Sequence, residues 1–99
     1  MLNVFENITN QIVKTYAPEK ILLFGSQSKG NATIKSDIDL CIIVDTNNKR
    51  QLLMELYFGI ETEKPIDIIV YTPSEWEDCV NDSTSFAHKI NKEGVMLYG

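Results

Sequence analysis

Cysteine, histidine, tryptophan and proline are all scarce in this 99-residue chain, at two, one, one and three copies. Cys41 and Cys79 stand far apart and neither belongs to a CxxC pair. Such spacing reads as two reduced, mostly buried thiols of a cytoplasmic protein. His88 has no second histidine with which to share a metal, so a surface or capping role is expected of it. Positive charge is thin as well. Nine Lys and Arg against 14 Asp and Glu leave a net charge of −5, and Lys49-Arg50 is the densest basic spot. Broad electrostatic binding to nucleic acid needs many neutralised phosphates, and this balance excludes it. No apolar run approaches the roughly eighteen residues of a membrane span. The opening stretch 'MLNVFENITNQIVK' has neither the basic start nor the continuous apolar segment of a signal peptide. Internal repeats, low-complexity tracts and linkers are missing too.

What is present is a hydrophobic fraction of 43% and a charged fraction of 23%, ordinary for a globular chain. Residues 1–99 are read as one domain, which buries only about two-thirds of the surface its unfolded form exposes. Leu2, Phe5, Ile8, Ile12 and Tyr16 recur at three- and four-residue spacing and predict a helix over 2–16, ended by Pro18. 'KILLF' is a short buried strand closed by Gly25, 'SQSKG' a helical turn and 'GNAT' a loop. 'SDIDLCIIVD' is the clearest strand. 'NNKRQLLMELYFGI' has helical length, with Asn47 or Asn48 as N-cap. 'PIDIIVYT' is a third strand, its Pro65 at the first position where no ladder bond is lost. In 'TPSEWEDCV' Thr72 caps a helix, with Pro73 at its first position and Glu75 three residues after the cap. 'STSFAHKINKEG' repeats the pattern with Ser83 or Ser85 as cap and Gly94 as stop, and 'VMLYG' is a last short strand. This order gives an α/β (α+β) fold: one small mixed β-sheet flanked by helices.

Within the clearest strand, Asp37 and Asp39 sit on either side of one isoleucine. Side chains alternate along a strand, so both acids point the same way with Cα atoms roughly 6.5–7 Å apart. Ile38, Leu40, Ile42 and Val44 take the opposite face. On the third strand Ile66, Ile68 and Val70 form an apolar face and Asp67 projects away from it. If the two strands are neighbours, Asp67 joins the pair. Three carboxylates together raise one another's pKa, and a divalent cation relieves that cost. Hard oxygen ligands suit magnesium or manganese. The plainer reading is that Asp37 caps a turn while Asp39 and Asp67 are solvated strand positions.

Gly25-Ser26 follows the first strand. Glycine lets backbone approach a ligand, and amides entering a helical turn hold phosphate oxygens. The Ser26 hydroxyl adds a donor and Lys29 a positive charge. A strand-glycine-serine alone is a simple turn; beside two metal-binding acids it becomes half of a nucleotide site.

The pattern G-S-x10-D-x-D with a later strand aspartate resembles the signature of the polymerase-beta-like nucleotidyltransferase superfamily. The nearest likeness is to its minimal nucleotidyltransferases, through 'LFGS' (Leu23 to Ser26), 'SDIDL' (Ser36 to Leu40), Asp67-Ile68 with Trp76, and the ending Glu93 to Tyr98. The resemblance implies the corresponding fold and an antitoxin that transfers AMP from ATP to a tyrosine of a HEPN-domain ribonuclease toxin. It implies that Gly25 and Ser26 hold the triphosphate and that Asp37 and Asp39 bind two Mg2+ ions. It further implies that Asp67 binds the catalytic ion and helps to deprotonate the acceptor. Family loops commonly read 'GSRARG' where this one reads 'GSQSKG'. Gln27 replaces one arginine and Lys29 the other, and lysine lacks arginine's forked contact to phosphate. That lowers the expected grip on nucleotide, while all three carboxylates are kept.

Larger relatives carry a further domain for the acceptor, and a chain of this length has no room for one. A protein partner that brings its own surface is therefore expected, or a small acceptor shared between two copies. Two other readings compete: a module that neutralises its partner by contact alone, and a plain α/β domain with solvated acids. Leu52, Leu53, Leu56 and Ile60 make an inward stripe on the second helix. Met54, Tyr57 and Phe58 make that helix apolar around most of its girth, either because it is well buried or because it meets a partner. Trp76 and Cys41 are read as core residues, and Lys20, Lys35 and Lys64 as solvated. Tyr16, Tyr57, Tyr71 and Tyr98 are candidates for self-modification, with nothing to select among them.

Overall fold

In the run 'IDLCII' five of six side chains are apolar and bury completely; the exception is Asp39, which is half-buried. A strand buried on both faces belongs in the middle of a sheet covered on both sides. The computed structural model, which describes residues 4–25 and 37–99, places it there. The elements are α1 (Val4–Tyr16), β1 (Lys20–Phe24), β2 (Ile38–Ile43), α2 (Lys49–Gly59), β3 (Ile66–Tyr71), α3 (Pro73–Val80), α4 (Phe86–Glu93) and β4 (Val95–Tyr98). The sheet runs β3-β2-β1-β4. Strand β1 pairs antiparallel with both β2 and β4, whereas β2 and β3 run parallel. A parallel pair needs a crossover, and α2 supplies it. The α/β fold expected from the order of elements is the fold observed.

The alternation of side chains divides the core in two. On one face Ile21, Leu23, Ile38, Leu40, Ile42, Ile68 and Val70 meet Ile8 and Ile12 of α1 and Leu52 and Leu56 of α2. On the other, Leu22, Cys41 and Ile43 meet Trp76 of α3 and Ala87 and Ile90 of α4. Here Cys41 is fully buried, and desolvation pushes its thiol up to about 12. That makes it a small apolar residue. Cys79 is half-buried and free. Among the described residues no helix is long and apolar enough to cross a membrane.

The helix signals act through specific hydrogen bonds. Asn48, rather than Asn47, caps α2: its side chain accepts from the Gln51 N–H at 3.1 Å. Thr72 and Glu75 close a capping box at α3, with 3.3 and 3.0 Å bonds running in the two directions. Ser85, rather than Ser83, caps α4 and accepts from the His88 N–H at 3.0 Å. The His88 ring Nδ1 lies 3.0 Å from the Val80 carbonyl, so this histidine ties α4 to the end of α3. Helix α1 stops with Ala17 in the left-handed region (φ 48°), just before Pro18.

One expectation is met for an unexpected reason and another needs correction. Gly94 does end α4, but its φ of −76° is not left-handed. Glycine is needed there for space, because a Cβ would lie 2.6 Å from the Ile90 carbonyl oxygen and 3.0 Å from that of Leu23. Helix α2 is not buried around its girth either: Met54, Tyr57 and Phe58 are exposed, Phe58 to 87%. The Tyr57 hydroxyl accepts the Ile68 N–H at 2.7 Å, so one of these aromatics covers part of the open edge of β3. The segment 'SQSKGNAT', where a helical turn and a loop are expected, lies outside the described residues.

Candidate active site

Because β2 and β3 are parallel neighbours with Ile38 opposite Ile66, Asp39 stands directly opposite Asp67. Adjacent strands are about 4.8 Å apart and paired residues share a face, so the two carboxylates are side by side. Both occupy the face covered by α3 and α4, but at its uncovered end. Cys41 and Ile43 further along β2 are shielded, whereas Asp39 is half-buried and Asp67 exposed. Asp37 is exposed and comes just before β2 begins. The register thus brings two of the three acids, Asp39 and Asp67, onto one face of adjacent strands, whereas Asp37, expected on the same strand, precedes it.

Electrostatics report the same proximity. The Asp39 carboxyl is pushed above the usual carboxylate range, first by desolvation, then by the negative charge of Asp67, then by that of Asp37. A group in this position gains from a nearby cation. Among the described residues, no three His, Cys, Asp or Glu side chains converge closely enough to hold a metal as they stand. The backbone positions and the hard oxygen donors nevertheless fit a divalent ion.

On the other side of Asp39 lies β1, which pairs Phe24 with Asp39. Gly25 follows at φ +75°, a conformation that favours glycine. A Cβ at this position would run into the Asp39 carboxylate. Two independent constraints, dihedral and space, thus fix glycine here and bring backbone against the acid. Ser26 and Lys29, the other residues expected to hold phosphate, lie outside the described residues, as does Gln27.

An aromatic pair at this end of the sheet is not apparent from the sequence. Phe24 and Phe86 meet edge-to-face, with centroids 5.5 Å apart and planes at 88°. Phe24 is half-buried and Phe86, the first residue of α4, is 49% exposed. The parity of 'LLFG' puts Phe24 on the face of the acids. Nothing local announces Phe86, because only the packing of α4 against β1 brings it there. Tyr71 and Trp76 make a second edge-to-face contact, at 5.4 Å and 63°, deeper under α3.

Comparison with known proteins gives a family and a fold. A family model described as polymerase beta, nucleotidyltransferase matches residues 6–99. A candidate nucleotidyltransferase from Sulfolobus solfataricus, solved at 1.40 Å, superposes with a TM-score of 0.66 at 19% identity. The alignment covers 96% of this chain and 77% of that one. No curated protein matches the chain significantly.

Proposed function

Because the chain belongs to the polymerase beta nucleotidyltransferase family, we propose that it transfers AMP from ATP to a hydroxyl of a partner protein. The partner is a HEPN-type ribonuclease toxin modified on a tyrosine, so that this chain acts as its antitoxin. The observation that carries the catalytic reading is the pairing of Asp39 with Asp67 across two parallel strands, with Gly25 backbone against Asp39. That constellation offers carboxylate charge for a cation directly beside the glycine at which the expected phosphate turn begins.

In this reading Asp37, Asp39 and Asp67 hold two divalent ions, and Gly25, Ser26 and Lys29 hold the triphosphate. Bound magnesium would lower the pKa of the acceptor hydroxyl and offset charge on the leaving oxygens. Asp67, the most exposed edge of the pair, receives the acceptor's proton. The acceptor oxygen forms a bond to the α-phosphorus as the bond from that phosphorus to the bridging oxygen breaks. Pyrophosphate leaves with the electron pair. The Asp39 carboxylate lies against Gly25, and most of the acceleration comes from positioning the reactants. Every described helix packs on the one sheet, which supports an acceptor that arrives with its own binding surface.

The test is label transfer from α-phosphate-labelled ATP to a co-purified partner, followed by intact mass. The expected result is a magnesium-dependent gain of one or more AMP units on the partner, abolished by Asp39→Asn and by Asp67→Asn. Neutralisation of the partner without any mass gain would instead identify a module that works by contact alone. Undiminished transfer by the Asp39→Asn variant would refute the site.

A further inference from the structure

The aromatic pair beside the acids has no part in the reaction described above. Phe86 is not an anchor of α4, a task met by Ala87 at 0% exposure and Ile90 at 2%. Single exposed apolar residues are common and need no explanation. Phe86 differs in position and in support. Its ring is braced edge-on by Phe24, and Phe24 is the ladder partner of Asp39. Phe86 therefore touches the side chain that neighbours Asp39 across the β1–β2 ladder.

We propose that Phe86, backed by Phe24, is the platform on which the base of the nucleotide stacks. This inference rests on the nucleotide reading of the acidic site and names the part of that site which holds the ring. The order of the strands favours the base over an aromatic acceptor. Asp67, the residue assigned to the acceptor hydroxyl, lies on β3, on one side of Asp39; Phe24 and Phe86 lie on the β1 side. The turn expected to cradle phosphates starts at Gly25, immediately after Phe24, so the ring flanks the nucleotide half. A phenyl face offers no donor or acceptor. Phe86 thus binds purines through area, with little discrimination between adenine and guanine.

The experiment compares manganese-dependent binding of ATP and of inorganic tripolyphosphate by calorimetry, in the wild type and in Phe86→Ala, Phe86→Leu and Phe86→Trp. Loss of a stacked base weakens binding by about tenfold or more. Phe86→Ala and Phe86→Leu should each lose that much ATP affinity while tripolyphosphate affinity stays unchanged. Phe86→Leu keeps apolar bulk without a π-face, and so separates stacking from folding should the alanine variant unfold. Phe86→Trp should retain ATP, with its indole fluorescence quenched by ATP and not by tripolyphosphate. Equal ATP affinity in wild type and both truncated variants overturns the proposal, even if the KM for the protein acceptor rises. So does a parallel loss of ATP and tripolyphosphate, which would make Phe86 a support of the phosphate turn. A wild type that binds neither ligand sinks the nucleotide site itself, and the platform with it.

Discussion

Asp39 is a strained residue by charge. Its carboxyl is half-buried, faces two other acids and titrates above the usual carboxylate range because of burial, Asp67 and Asp37, in that order. Between the unfolded and the raised folded pKa, the native chain holds a proton that the unfolded chain has released. Stability therefore falls as pH rises through that window and stays lower above it. Asp39→Asn removes the charge at nearly constant volume. It should raise the melting temperature at neutral pH and flatten the loss of stability as pH rises from the ordinary carboxylate range to neutrality, while transfer activity disappears. Thermal melts of both proteins across that range measure it; a variant that melts lower at neutral pH would show Asp39 to be a net stabiliser. Glu75 has the opposite sign. The Thr72 backbone N–H and the Lys49 ammonium, 2.9 Å away, lower its pKa, so what it contributes is lost as pH falls through the depressed folded value. One acid serves the fold, the other is tolerated by it.

At the level of elements, much was legible. Among the described residues, the order of four helices and four strands follows from periodicity, and the caps, Thr72 and one of Ser83 or Ser85, follow from hydrogen-bonding side chains placed just before apolar runs. Thr72→Ala removes the acceptor for the Glu75 N–H and should cost about 1 kcal/mol. Urea unfolding gives the value, and the m-value should not change. Other features were closed to a sequence reading because they are set by partners distant along the chain. Phe58 and Met54 look like core residues, yet the side of α2 that carries them faces away from the sheet. Gly94 reads correctly as a helix stop, yet part of what requires glycine there, the carbonyl of Leu23 on β1, is remote in the chain; the other part is the carbonyl of Ile90. The acids could be read as a pair by alternation alone; that Asp67 stands opposite Asp39 needed the parallel register. The Phe24–Phe86 contact depends on where α4 lands, which no spacing in the chain encodes.

On the scale of the whole molecule, the sheet separates two cores of unequal size. The larger, under α1 and α2, contains no residue of the candidate site; the smaller, under α3 and α4, ends where the acids begin. A ligand that binds only the native state stabilises it by mass action. Magnesium with ATP at about a hundred times the dissociation constant should add about 2.7 kcal/mol. For a domain of this size that corresponds to a rise in melting temperature of roughly 10–20 °C. Scanning calorimetry with and without EDTA measures the shift, and Asp39→Asn should lose the magnesium-dependent part. The four-stranded partition also bears on how such a chain can diversify. Substitutions more than about 7–10 Å apart and without shared contacts add nearly independently. Helix α1 can therefore drift, gain stability or acquire a new outer surface at little cost to the candidate site behind the sheet, whereas α2 is tied to that side by the Lys49–Glu75 ion pair with α3 and by the Tyr57–Ile68 hydrogen bond on β3. The reverse side has less latitude: there, the cover formed by α3 and α4 packs on the same strand face that carries Asp39 and Asp67.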